Sequence, residues 1–252
     1  MTEGPSAPGP AALPTEEYDR QWRLLPDYIR YHPGARHRRR LILKWVRGLG
    51  CHRILDVGCG PGELVDLLRR RLGRCELAGC DVAPDLIEAN RKRFPTATFH
   101  VLDIEQGRLD ERFDLVVCSE VIEHVEDQAA AFGNLADMVT PGGHLLVTCP
   151  TGKIHPTEVH FGHISHPSRQ ELLELGRANG LRTVRCLNWG WPIYRALKHA
   201  TNINARWAIE HFAERDYSAA SKLLSHALYW LNFLNFDSPH GVSLFVLFQR
   251  KS

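Results

Sequence analysis

The chain has 252 residues, 44% hydrophobic and 24% charged, enough for one domain with a sizeable core and embellishments. A formal net charge of +2 supplies no field that argues for a nucleic-acid partner, and no run of about eighteen apolar residues offers a membrane span. Seven cysteines without a C-x-x-C pair read as reduced thiols of a cytoplasmic protein, not as a disulfide framework.

Residues 1–14, rich in Pro, Gly and Ala, lack the charged-then-apolar order of a signal peptide and read as a disordered tail. The remainder, 15–252, reads as a single domain that opens with helices over 15–50. The first starts at Thr15-Glu16-Glu17 and carries Trp22 and Leu25 toward Tyr28; Pro33-Gly34 breaks it. The second, over 35–49, places Leu41, Ile42, Trp45 and Val46 at helical spacing, and its bases from Arg36 to Arg40 read as a solvated face. Strands are then expected at 53–57, 76–80, 98–102, 113–118, 144–149 and 182–187. Helices are expected between them at 63–72, 84–94, 127–139 and 168–179. This alternation implies an α/β fold, a mostly parallel Rossmann-like sheet with helices on both faces. A last strand is expected at 242–248. The stretch before it, 190–238, is long and helical and reads as an insertion at the carboxyl end of the sheet, a natural lid over a crevice. Its aromatic run Tyr229 to Phe236 suits a core helix, a homodimer contact or an apolar wall for a hydrophobic substrate.

The stretch Arg53-Ile54-Leu55-Asp56-Val57-Gly58-Cys59-Gly60-Pro61-Gly62 is a short apolar strand running into alternating glycines and a helix start at Glu63. Glycines there let backbone approach a ligand that a Cβ would hold off. Asp81 closes the second strand about twenty residues on, where a carboxylate suits ribose hydroxyls. Together they indicate an adenosine-type cofactor, with the glycine amides facing its amino-acid part and Asp56 receiving an ammonium group directly or through water.

These residues resemble motif I and the following acid of class I S-adenosylmethionine-dependent methyltransferases. Gly58-x-Gly60-x-Gly62 fits that family better than the G-x-G-x-x-G of nicotinamide dehydrogenases. Val101-Leu102-Asp103-Ile104 resembles the segment beside the adenine amino group. The run from Phe113 to Ser119-Glu120 resembles the fourth strand and its cofactor-facing end, and Pro141-Gly142-Gly143 the turn into the fifth. The resemblance spans about 36–187. It implies a seven-stranded sheet with an antiparallel last strand, S-adenosylmethionine as cofactor with S-adenosylhomocysteine as product, and Asp56, Gly58, Gly60, Gly62, Asp81, Val82, Asp103, Ile104 and Ser119 as the cofactor-binding residues. The family joins its last two strands by a short hairpin, so the helical insertion here is a departure.

A hydroxyl or protonated amine must lose a proton to accept a methyl group, and histidine titrates near working pH. His124 follows the fourth strand, and the segment 149–167 holds His155, His160, His163 and His166; His124, His163 and His160 are the candidate catalytic residues. Three readings follow. One is a methyltransferase acting on a small-molecule hydroxyl in biosynthetic or specialised metabolism. Another uses a divalent metal: Glu120-x-x-Glu123-His124 with His163 resembles the ligand run of metal-dependent O-methyltransferases of quinone biosynthesis and of small-RNA ends. In metal-free relatives a similar run only starts a helix, and a metal is not favoured. A non-catalytic cofactor-binding module is the third reading.

Overall fold

The computed structural model describes residues 14, 26–212 and 216–252. The expected tail, Pro14 apart, and the start of the first expected helix lie outside the described residues. Two helices precede the sheet, α1 (Pro26–Tyr31) and α2 (Pro33–Val46). Pro33 sits inside the first turn of α2, where its fixed φ and missing N–H cost nothing. His32 caps that turn, its Nδ1 accepting the Ala35 N–H at 3.1 Å.

The strands are β1 (Arg53–Val57), β2 (Glu76–Asp81), β3 (Thr98–Val101), β4 (Phe113–Ser119), β5 (Val139–Pro150), β6 (Leu181–Trp189) and β7 (Ser243–Arg250). They form one seven-stranded sheet in the order β3-β2-β1-β4-β5-β7-β6. The first five run parallel, and β7 lies antiparallel between β5 and β6. Strand order therefore reverses between β1 and β4, opening a crevice beyond their carboxyl ends. β5 begins earlier than its apolar run suggests, because Val139 already pairs with Phe113 ahead of a register shift.

Helices α3 (Glu63–Arg71), α4 (Pro84–Arg93), α5 (Gln128–Asp137) and α7 (Arg169–Ala178) cover the sheet. Ile42 and Trp45 of α2, Leu64 and Leu68 of α3 and Ile87 of α4 pack on Ile54, Leu115, Val117 and Phe245. On the other face Phe132 and Leu135 of α5 and Leu172 of α7 pack on Leu55, Val116, Leu145 and Phe248. Neighbours such as Ile54 and Leu55 thus serve opposite faces, which is why these strands read as unbroken apolar runs. Each fully buried side chain of this kind contributes roughly 1.5–3 kcal/mol.

A short helix, α6 (Pro156–His160), forms inside the histidine-rich segment. The stretch between β6 and β7 holds α8 (Ile193–Ile203), α9 (Ala205–Phe212), α10 (Ala219–Leu231) and a 3-10 turn at Asn232–Leu234. Helix α10 packs against α2 and α1.

Candidate cofactor and acceptor site

Between β1 and α3 the chain turns through Gly58, Gly60 and Gly62, at φ 67°, 49° and 81°. L side chains rarely adopt this left-handed region, and packing adds a second demand. A Cβ on Gly58 would collide with Val121 Cγ2, and one on Gly62 would lie 2.6 Å from Phe94 Cε2 and 2.9 Å from Asn90 Oδ1. Around Gly60 nothing lies within 4 Å of that position, so the turn presents bare backbone to open space. The turn is anchored from β2 and α4. Gly60 N–H donates to Asp81 Oδ2 at 2.8 Å, Ala83 N–H donates to Asp81 Oδ1 at 3.1 Å, and Asn90 Nδ2 donates to the Gly60 carbonyl at 2.7 Å.

Asp56 sits one residue before the end of β1, 3% exposed, and its Oδ2 has no hydrogen-bond partner among the described residues. Burial, reinforced by the nearby Asp81 carboxylate and opposed by Arg39, pushes its pKa up to about 8. A buried carboxylate without a donor, beside an open glycine turn, is a receptor for a cation.

Parallel register sets Val57 beside Cys80 and Cys118, and Asp81 beside Val101. The glycine turn, Asp81, Val82, Asp103 and Ser119 therefore all lie at the carboxyl ends of β1–β4. Val82 is exposed there. Asp103 accepts the Glu105 N–H at 2.9 Å. The Ile104 side chain instead joins the core, and its carbonyl accepts from Asn134 Nδ2 at 2.7 Å.

Past β4, Glu120 takes a φ of 59°, strained backbone for a residue other than glycine. The Ser119 and Thr148 hydroxyls lie 2.8 Å apart, and Thr148 donates onward to Glu120 Oε1 at 3.1 Å. Glu120 Oε2 pairs with Arg38 Nη1 at 2.9 Å. Glu123, in the 3-10 turn Ile122–His124, is fully buried, and neither of its carboxyl oxygens has a hydrogen-bond partner among the described residues. Burial, then the Glu120 charge, drives its pKa well above the usual carboxyl range.

The imidazoles form a chain. His124 Nδ1 lies 3.0 Å from the Gly162 carbonyl, which fixes the proton on Nδ1. His166 Nδ1 meets the Gly152 carbonyl at 3.1 Å in the same way, so its Nε2 accepts from His163 Nδ1 at 3.0 Å. The His124 and His163 rings are 4.8 Å apart. Burial lowers the pKa of all three, that of His163 to about 2. They are neutral imidazoles, suited to accept hydrogen bonds or to ligate. His160 stands apart, exposed at the end of α6 with its ring 5.4 Å from that of Phe161. Ligand atoms of Glu123, His124 and His163 lie within 4.8 Å of one another, and those of Glu158, His163 and His166 do likewise. Glu120, the other acid of the expected ligand run, belongs to neither group.

Several contributors were not singled out from sequence. Asn90 carries no motif, and only its position on the inner face of α4 marks it. Arg38 and Arg39 sit in the basic run read as a solvated face, yet both turn inward. Arg38 meets Glu120, and Arg39 Nη2 donates to the Ile29 carbonyl at 3.0 Å. Burial lowers the Arg39 pKa to about 10. The insertion reaches the same region: Lys198 Nζ pairs with Glu158 Oε1 at 2.7 Å, and Asn202 Oδ1 accepts from the Thr157 N–H and hydroxyl at 3.2 and 3.0 Å.

A family model described as methyltransferase domain matches residues 18–185. The chain is 29% identical over 139 residues to trans-aconitate 2-methyltransferase of Rhizobium leguminosarum bv. trifolii (strain WSM2304), an alignment covering 55% of this chain and 54% of that protein. It thus spans about half the length of the curated relatives it matches. Among solved structures it resembles the N-methyltransferase NodS of Bradyrhizobium japonicum WM9 in complex with S-adenosyl-L-homocysteine. There the TM-score is 0.62 and the identity 19%, over 94% of this chain and 98% of NodS. It also resembles the [4+2]-cyclase SpnF, with a TM-score of 0.60 and 17% identity over 98% of this chain and 99% of that one. At these identities the likeness concerns the fold, and the pairing of a transferase with a cyclase leaves the reaction to the site.

Proposed function

The chain belongs to the methyltransferase-domain family, and from that premise we propose that it is an S-adenosylmethionine-dependent methyltransferase acting on a hydroxyl oxygen of a small molecule. The observation that carries the reading is Asp56, a buried carboxylate lacking a donor beside the bare backbone of Gly60. The residues present fit the cofactor: Asp56 would hold its ammonium, the glycine turn would admit its amino-acid part, Asp81 would face the ribose hydroxyls, and Val82 and Asp103 would lie toward the adenine. Ile104 contributes only backbone there, since its side chain is in the core. When bound, S-adenosylmethionine supplies a sulfonium-activated methyl group, so the protein's task is to place the acceptor and remove its proton.

His124 takes that proton on Nε2, because Nδ1 is committed to the Gly162 carbonyl. His163, with its pKa held near 2, is a hydrogen-bond acceptor rather than a proton store. The helices of 190–238 close over the acceptor through the Lys198–Glu158 and Asn202–Thr157 contacts. Methyl incorporation from labelled S-adenosylmethionine into a panel of hydroxyl, carboxyl and amine acceptors tests the assignment. Loss of turnover in His124→Ala with unchanged cofactor affinity supports the base, and unchanged turnover removes it. Cofactor binding without consumption by any acceptor would favour the non-catalytic reading.

One observation favours a second reading. The unpartnered, fully buried Glu123 beside neutral His124 and His163 is the donor set a divalent ion needs. On this reading Glu120 drops out of the four expected ligands, held aside by Arg38, and Glu123, His124 and His163 remain. Metal analysis of the purified protein and turnover in chelator decide it: full activity without metal removes this reading and leaves the first.

A further inference from the structure

Helix α10 and the turn after it cover only part of their apolar surface: Leu228 and Tyr229 are half-buried, and most of the rest points outward. Ser225 and Asn232 face inward, while Leu223, Leu224, Trp230, Leu231 and Leu234 are exposed, at 72%, 59%, 67%, 43% and 62%. Positions 223, 230, 231 and 234 follow helical spacing, so they line one outward face. Phe233 and Phe236, 39% and 56% exposed, extend it. The result is a projecting apolar ridge on the order of several hundred Å², the size at which an exposed patch marks an interaction site.

Beside the ridge runs α2. Its Arg36 guanidinium lies 4.2 Å over the Tyr229 ring and its Arg40 guanidinium 4.2 Å over the Phe233 ring, with Lys44 exposed one turn on. Neither α2, α10 nor the turn Asn232–Leu234 contains an Asp or Glu. Apolar side chains projecting in a row beside the Arg36, Arg40 and Lys44 cations match an interfacial helix seated on anionic headgroups; of the nearby acids, Asp27 is held by Lys222 at 3.1 Å, and Asp237 follows Phe236. A second copy meets this ridge poorly. A two-fold contact would bring α2 of each copy close to the other, with no carboxylate on either helix to answer the bases. No helix of the described residues is long and apolar enough to cross a membrane.

We propose that the ridge of α10, with Arg36, Arg40 and Lys44 of α2, docks this protein onto the surface of a bilayer containing anionic phospholipid. Leu and Trp side chains enter the interface and the bases pair with headgroup phosphates. The test is co-sedimentation of the full chain with vesicles of phosphatidylcholine containing phosphatidylglycerol, and with vesicles of phosphatidylcholine alone. The expected result is binding to the anionic vesicles, weaker binding to the neutral ones, and loss of the difference in high salt. Leu234→Glu should lower the partition by about tenfold or more, and Leu223→Glu should do the same as an independent variant. Both side chains are mostly exposed, so unchanged far-ultraviolet circular dichroism is expected and is checked. Failure to bind anionic vesicles, equal binding to both vesicle types, or a concentration-dependent dimer abolished by Leu234→Glu would each overturn the proposal.

Discussion

Asp56→Asn is the sharpest probe of the cofactor site. In the free protein the Asp56 carboxyl has a pKa of about 8, because burial and Asp81 both disfavour its charge. At pH 7 such an acid is about one-tenth ionised, so ionising it to meet an ammonium costs about 1.4 kcal/mol. That cost shrinks as pH rises through the pKa. The affinity of the wild-type protein for S-adenosylmethionine should therefore climb about 25-fold between about pH 6.5 and 8.5, beyond any change due to the ligand's own titration. Asn at this position has no proton to lose. Isothermal titration calorimetry across that range, with the ratio of wild-type to variant Kd plotted against pH, cancels the ligand's titration. In buffers of differing ionisation enthalpy at pH 7, the wild type should release about 0.9 proton more per cofactor than the variant. A flat ratio with equal proton release would refute the placement of the ammonium at Asp56.

The same shift has a consequence for the unliganded fold. Because the folded pKa of Asp56 is raised above its ordinary value, the folded state holds the proton more tightly between about pH 4 and 8, and stability falls as pH rises through that window. Asp56→Asn should thus melt close to wild type at pH 4 and above it at pH 8, by differential scanning fluorimetry without ligand. The two turn glycines should separate stability from binding. Gly58→Ala combines left-handed strain with the Val121 collision and should cost about 2–5 kcal/mol in urea unfolding, whereas Gly60→Ala should cost about 1–2 kcal/mol and weaken cofactor affinity more than it weakens the fold. Asn90→Ala should remove the donor to the buried Gly60 carbonyl, costing about 1–3 kcal/mol of stability and loosening cofactor binding; unchanged values for both would show that the turn holds without α4.

The parts of the fold legible in the sequence are those written in local periodicity. Apolar runs such as Ile54 to Val57 and Leu115 to Cys118 announce buried parallel strands, and the glycines at 58, 60 and 62 announce a left-handed turn. The alternation of such strands with helical repeats then leaves few topologies. Asp81 was legible too, because it ends a strand at a fixed distance from those glycines. Where an element ends was less clear, as with β5, whose first residues are held by pairing with Phe113 and not by their own pattern.

Arg38 shows what the sequence left open. Within its basic run nothing distinguishes it from Arg36 or Arg40, and only the arrival of Glu120 from the end of β4 gives it an inward partner. The four histidines of 149–167 look alike in order, yet backbone carbonyls at Gly152 and Gly162 fix His166 and His124 while His160 is left at the surface. The stretch 190–238 reads as helical, but which side of α10 is covered is decided by its docking on α2, which leaves Leu223, Trp230 and Leu234 outside. Local sequence determines how each segment bends and which side chains share a face. Which charges meet, and which faces are covered, depends on residues far apart in the chain, and only their packing brings those together.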